Sequence, residues 1–206
     1  MTNKKDFYEA NFTSKPYLIL DLDDTISELL LIWLERYNKL KSYDDDDKIT
    51  PDQIKQWDLC SHPKIECDIF DLLHDPSIFE EAPVKKDARK YLNILSKDYE
   101  IFVVSSCNPD AYKPKWNWLR RNFKFINPVN FIACTPKYLI KSVPGSIMVD
   151  DKVSNLCEFE GVRILMAREY NHPDNYGDYE CEIDVRCNNW KEVYEYIKSL
   201  QSCYKE

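Results

Sequence analysis

Three short apolar runs, each closing on acids or hydroxyls, set the tightest limit on what this chain can fold into. Tyr17-Leu18-Ile19-Leu20 runs into Asp21 and Asp23, Ile101-Phe102-Val103-Val104 into Ser105-Ser106, and Ser146-Ile147-Met148-Val149 into Asp150-Asp151. A short, unbroken apolar run is how a strand buried on both faces of a parallel sheet reads. Two more such runs lie at 130–134 and 162–166. Helical patterns separate them. One spans 84–99, with Ala88, Tyr91, Leu92 and Leu95 on one face. Another starts at Asn108-Pro109 and passes through Trp116, Trp118 and Leu119, and a last one covers 189–201. Strands alternating with helices predict an α/β fold with a Rossmann-like parallel sheet. In such sheets ligands bind at the C-terminal strand ends, where these acids and hydroxyls fall.

The stretch 26–98 carries helical patterns and no convincing strand. Leu29, Leu30, Trp33, Leu34, Tyr37 and Leu40 follow helical spacing from Ile26 to Leu40. Thr50-Pro51-Asp52-Gln53 reads as a helix start, with a cap, a proline in the first turn and a capping-box glutamine. Residues 63–75 read as a further helix, stopped by Pro76. The stretch is too long for one crossover. It is therefore expected to be a small helical cap inserted after the first strand. The core would be 16–25 and 99–206, and the cap 26–98, with its last helix (84–98) returning to the core. The acidic run Asp44-Asp45-Asp46-Asp47 is expected to be a solvated loop, because adjacent carboxylates repel.

Composition removes several alternatives. Only three glycines occur in 206 residues, so no glycine-rich phosphate loop can be written. A phosphate site would have to come from side chains and a metal. The net charge of −8 disfavours polynucleotide and anionic membrane partners, while a local metal and a lysine still admit a small phosphate ester. No apolar run approaches the ~18 residues of a membrane span. The eight cysteines form no C-x-x-C pair, and the opening Met-Thr-Asn-Lys-Lys-Asp carries no apolar signal region. A cytoplasmic protein with reduced thiols is expected. His62, His74 and His172 show no metal-ligand spacing.

The acids and hydroxyls form a recognisable set. Asp21-Leu22-Asp23-Asp24-Thr25, Ser105, Lys137 in Thr135-Pro136-Lys137-Tyr138-Leu139-Ile140-Lys141, and Asp150-Asp151 occur in that order. This set resembles the four motifs of the haloacid dehalogenase (HAD) superfamily. The resemblance implies a Mg²⁺-dependent phosphatase. Asp21 would be the nucleophile and Asp23 the general acid/base, with Ser105, Ser106 and Lys137 on the phosphoryl group. Asp21, Asp23 (through its backbone carbonyl), Asp150 and Asp151 would hold the metal. Lys141, one helical turn on, is the alternative to Lys137. The bland alternative is that Asp21, Asp23 and Asp24 merely cap the helix that follows.

Ile49-Thr50-Pro51, Gln56-Trp57-Asp58-Leu59, Ile78-Phe79-Glu80-Glu81-Ala82-Pro83, Tyr170-Asn171, Val185-Arg186 and Asn189-Trp190 narrow the resemblance. They are similar to the 5′(3′)-deoxyribonucleotidase family over roughly residues 16–200. That implies hydrolysis of nucleoside monophosphates. Two departures stand out. Asp24 replaces the family's glycine, and Leu29 stands where a base-stacking phenylalanine is usual. Trp57, Phe70 and Phe79 are candidates to stack on a base, with cap core as their more ordinary role. Trp116, Trp118 and Trp190 are expected in the core. The alternatives are a phosphatase for another small ester, such as a sugar phosphate, or an inactive binding domain. The oligomeric state is left open, a homodimer included.

Overall fold

The computed structural model describes residues 15–140, 145–175 and 183–203. In chain order the regular elements are β1 (Tyr17–Leu20), α1 (Leu29–Leu40), α2 (Ser77–Glu81), α3 (Ala88–Leu95), β2 (Glu100–Ser105), α4 (Pro109–Asn122), β3 (Phe131–Ala133), β4 (Ile147–Asp150), α5 (Val153–Leu156), β5 (Val162–Met166), β6 (Val185–Cys187) and α6 (Trp190–Cys203). The six strands form one sheet in the order β3-β2-β1-β4-β5-β6, and every pairing is parallel. β1 lies between β2 and β4, so Leu18 pairs with Ile101 on one side and Ile147 on the other. The chain turns in opposite directions from β1, which opens a crevice at its C-terminal end.

Helices cover both faces, as the unbroken apolar strands require. One face packs Leu18, Leu20, Val103 and Val149 against Leu92 of α3, Trp118 of α4 and Trp190 of α6. The other packs Ile19, Val104 and Met148 against Val153, Leu156 and Phe159. Trp118 and Trp190 are core as expected, and Trp116 is partly buried beside them.

The expected helices of 26–98 are partly redrawn. α1 begins at Leu29, because Ser27 pairs with Val84 in an antiparallel bridge. The Thr50 start yields a single 3₁₀ turn, with the Gln53 side chain accepting from the Thr50 N–H at 3.0 Å. The 63–75 helix is a 3₁₀ stretch over Cys67–His74, and Pro76 begins α2 instead of merely stopping its predecessor. Proline suits a helix start because it gives up no bond there. Between β1 and α3 the chain has its own apolar cluster of Leu30, Leu34, Tyr37, Ile49 and Ile69, which Tyr170 also joins. Asp44 to Asp47 stand exposed.

Two expectations are corrected. The thiols are not all reduced, since Cys60 and Cys67 form a disulfide. The 3₁₀ turn at Leu59–Ser61 folds the chain back and leaves their Cα atoms 5.4 Å apart, inside the range a disulfide spans. β6 is the second correction. Its three residues are too short for apolar periodicity to mark them, and pairing with β5 creates it.

Gly161 fixes the entry to β5. A Cβ there would lie 2.3 Å from the Ser146 carbonyl oxygen, which accepts from Val162 N–H at 3.0 Å. Gly161→Ala is expected to destabilise the protein by about 1–3 kcal/mol through overpacking. A urea melt would show it as a lower midpoint at unchanged slope.

Candidate active site

Residues at the ends of the central strands converge because β1 is flanked by β2 and β4. Asp21 follows β1 directly, and its N–H donates to the Val149 carbonyl at 2.9 Å. Ser105 is the last residue of β2 and Asp150 the last of β4. All three side chains are buried, and Asp151 beside them is buried too.

Lys137 reaches this cluster from a 3₁₀ turn after β3. Its ammonium, itself buried, donates to Asp21 Oδ1 and, at 3.0 Å, to Asp150 Oδ2. Burial opposes its charge, but Asp150 and Asp21 overcome that and raise its pKa. Burial pushes Asp21 well above the ordinary carboxylate range, with Lys137 pulling the other way. Asp151 is pushed up to about 7, by burial first and Asp150 next. Lys141, the alternative lysine, lies outside the described residues.

Asp23 has a second lysine. Lys115 of α4, buried, donates to Asp23 Oδ2, to Ser105 Oγ at 3.0 Å and to the Ser106 carbonyl at 3.1 Å. The Ser105 hydroxyl in turn donates to Asp23 Oδ2 at 3.4 Å. Asp23 Oδ1 is buried and has no protein partner among the described residues. One oxygen of this carboxylate is therefore fixed, and the other is left to act. The Ser106 hydroxyl is exposed and donates to the Cys134 carbonyl at 3.3 Å.

Lys115 went unnoticed in the sequence, though a signal exists. Ala111, Lys115, Trp118 and Leu119 share the buried stripe of one helix, and a lysine on such a stripe needs a buried anion. Other supporting groups come from far along the chain. Asn155 donates to both oxygens of Asp150, at 3.0 and 3.1 Å. Tyr170 donates to Asp151 Oδ2, and Thr25 Oγ1 to Asp151 Oδ1 at 3.5 Å. Arg168 donates from Nε to the Asp24 carbonyl at 3.0 Å and from Nη2 to Glu28 Oε2 at 2.8 Å.

Asp24 explains its own departure from glycine. Its φ is +58°, a left-handed conformation that glycine adopts without strain. Aspartate tolerates it here because its carboxylate accepts the Leu30 N–H at 3.1 and 3.2 Å. Of the three acids, this one does cap the following helix. Burial raises its pKa to about 7 against the pull of Arg168.

The four tentative substrate residues fall in different places. Leu29 and Phe79 are buried in one cluster, and the Lys115 ammonium lies 4.9 Å from the Phe79 ring centre. Trp57 is 53% exposed, which overturns a core role. It sits edge-on to Tyr170, with Lys152 over its ring at 4.6 Å, so it flanks the Asp150-Asp151 turn. Phe70 is 41% exposed and meets Trp33 instead of the acids. Surface contact with Trp33 replaces the core role expected of it.

Carboxylate oxygens of Asp21, Asp150 and Asp151 lie within 4.8 Å of one another. Three hard oxygen donors set against one lysine leave excess negative charge, which adds to burial in raising Asp21 and Asp151. This donor set fits Mg²⁺.

The family model for 5′ nucleotidase, deoxy (pyrimidine), cytosolic type C protein matches residues 15–202. The chain belongs to the cytosolic type C 5′-nucleotidase family. A 5′(3′)-deoxyribonucleotidase of Clostridium acetobutylicum is 33% identical over 190 residues, covering 91% of this chain and 98% of that one. One from Bacillus subtilis is 29% identical, covering 87% and 96%. Solved structures share the fold at low identity. A haloacid dehalogenase-like hydrolase from Streptococcus pneumoniae gives a TM-score of 0.56 at 12% identity, covering 90% of this chain and all of that one. A HAD hydrolase from Bacillus subtilis, solved bound to magnesium, gives 0.55 at 13% identity, covering 90% and 100%. The type C nucleotidase sheet is thus built on the HAD plan.

Proposed function

We propose that this type C nucleotidase is a Mg²⁺-dependent phosphomonoesterase that hydrolyses nucleoside monophosphates, deoxyribonucleotides foremost, through an aspartyl-phosphate on Asp21. The observation that carries this reading is the pair of lysine-held aspartates at the switch point, Asp21 under Lys137 and Asp23 under Lys115. A carboxylate oxygen of Asp21 attacks phosphorus, and the ester P–O bond breaks. Asp23 Oδ1 delivers the proton to the departing ester oxygen. It then takes a proton from the water that attacks the phosphorus and frees Asp21. Ser105, Ser106 and Lys137 hold phosphoryl oxygens as charge builds on them. Asp21, Asp150, Asp151 and the Asp23 backbone carbonyl would hold Mg²⁺. Bound there, the cation screens the meeting of an anionic nucleophile with an anionic ester.

Residues 26–98 serve as the cap over this site, with 84–98 returning to the core. Leu29, Phe79 and Trp57 are its candidate contacts to sugar and base, and Phe70 is a weaker one. The relatives' names and the −8 charge support a small nucleotide as substrate. Among the described residues no helix is long and apolar enough to cross a membrane. The cytosolic description of the matching family supports a cytoplasmic location.

A panel of deoxyribonucleoside and ribonucleoside monophosphates, a sugar phosphate and an aryl phosphate tests the assignment. The deoxyribonucleotides are expected to give kcat/KM values at least about ten-fold above the sugar phosphate, a discrimination two or three good contacts supply. Good aryl phosphate turnover with no deoxyribonucleotide turnover would reject it in favour of another small ester. Hydrolysis no faster than that of Asp21→Asn on every compound would favour an inactive binding domain.

Metal removal gives a second expectation. Burial and the Asp150 charge push Asp151 up to about 7 in the fold, from an ordinary carboxylate value of 3.8. A carboxyl raised by folding stabilises most below its unfolded pKa and loses that contribution as pH rises through its folded one. In EDTA the melting midpoint is therefore expected to fall between about pH 4 and pH 7. Mg²⁺ at about 100 times its Kd contributes about 2.7 kcal/mol. At neutral pH that raises the midpoint by about 5–10 °C for a chain of this size. Calorimetry showing no rise would remove the metal site.

A further inference from the structure

A cluster of positive charge lies away from the acids, in a cavity of about 800 Å³ between the N-terminal turn of α3 and the C-terminal end of α4. That size suits a small molecule. Six cations line it, Lys85, Lys86, Arg89, Lys90, Arg121 and Lys124, with Asp87 as the one acid. Lys85 is buried and ion-paired to Glu28 at 3.5 Å. Among the described residues the other five have no carboxylate within ion-pair distance. In a chain of net charge −8, five exposed cations share one concavity with Asp87 as its one acid, a local excess of positive charge that an anion would offset.

Two of the five are already fixed. Arg89 donates from Nε to the Asn122 carbonyl at 2.8 Å and from Nη2 to Asn122 Oδ1 at 2.9 Å, and Arg121 donates to the Glu80 carbonyl. Their positions are set by neutral acceptors, so their charge is not spent. One phosphate monoester carries only about −1.5 to −2. A run of linked phosphates matches five cations better. A polynucleotide would need a track along the surface, and the overall −8 repels one.

We propose that this cavity binds a compact polyphosphate anion, either inorganic triphosphate or the triphosphate of a nucleotide, at a site distinct from the acids of β1 and β4. The walls make such a ligand a bridge. Val84 pairs with Ser27, and the Lys85 N–H donates to the Ile26 carbonyl at 3.0 Å, so one wall belongs to the crossing into the helical segment. The other wall is α4, which carries Lys115. Phe125, partly buried in the lining, offers a ring for a base. The inference does not depend on the phosphatase reading.

Calorimetric titration of the full chain with inorganic triphosphate, in EDTA and at constant ionic strength, tests it. Saturable one-to-one binding is expected, weakened at least ten-fold in Lys86→Glu/Lys124→Glu and unchanged in Lys137→Met. The circular dichroism spectrum and melting midpoint of the Lys86/Lys124 variant should match wild type and so report its fold, and Lys124→Ala, with about three-fold weakening, stands in if it does not fold. Lys39→Glu/Lys191→Glu makes the same charge change elsewhere and should bind normally. Unchanged binding in the cavity variant, equal weakening in that control, or loss in Lys137→Met would each overturn the proposal. A β,γ-methylene nucleoside triphosphate binding at least ten-fold tighter assigns the site to nucleotides, and equal affinity assigns it to the bare phosphate chain. An oligodeoxynucleotide binding tighter than both, through the same lysines, would overturn it in favour of a polynucleotide surface.

Discussion

Asp21→Asn is expected to cut Mg²⁺-dependent turnover by on the order of 10⁴-fold or more, while the folded protein becomes no less stable in EDTA. The first effect follows from chemistry, because an amide has no anionic oxygen with which to open the ester. The second follows from the site's charge. Asp21 is buried and held well above the ordinary carboxylate range, by burial and by Asp150, Asp151 and Asp23. Keeping it ionised at neutral pH therefore costs folding free energy, and a neutral isostere removes that cost. Lys137 keeps Asp150 as a partner at 3.0 Å, so its charge is not stranded. Lost turnover with a level or raised melting midpoint separates a chemical role from a structural one. Turnover within ten-fold of wild type would end the nucleophile assignment.

Lys115→Met is expected to lower kcat by about 10²- to 10³-fold, with KM changed much less. A positioned acid/base contributes about 10²–10⁴, and Lys115 is what positions Asp23. It donates to one carboxylate oxygen and to Ser105 Oγ. Methionine keeps the apolar stem on the buried stripe with Ala111, Trp118 and Leu119 but supplies no donor. Asp23 would then be free to rotate away from the leaving oxygen. Lys115→Arg should recover part of kcat, since its charge persists in a different shape. A role in packing alone predicts the opposite ordering, with methionine the better tolerated, so steady-state kinetics of the two variants decides.

The two lysines show how far the chain could be read in advance. Lys137 falls at a motif position, and the structure places its ammonium on Asp21 and Asp150. Lys115 belongs to no motif and lies 92 residues from the acid it serves. The helices between β1 and α3 were legible only in outline. Their capping and proline signals were present, but cross-chain pairing such as Ser27 with Val84 moved the boundaries. The Cys60–Cys67 disulfide was missed because a local turn, not a spacing motif, brings the two together.

Apolar runs ending in Asp21, Ser105 and Asp150 determined by themselves that the sheet is parallel and buried, and which strand ends carry the acids. Burial on both faces demands such runs, so the pattern survives in one dimension. Tertiary structure alone decided the partners, with Tyr170 on Asp151, Asn155 on Asp150, Arg168 on Asp24 and Lys115 on Asp23. It also decided that Trp57 flanks the acids and that five cations meet around one cavity. Electrostatic and hydrogen-bond contacts depend on distances of a few ångströms between residues far apart in the chain. No periodicity records those distances, and only the order of the strands creates them.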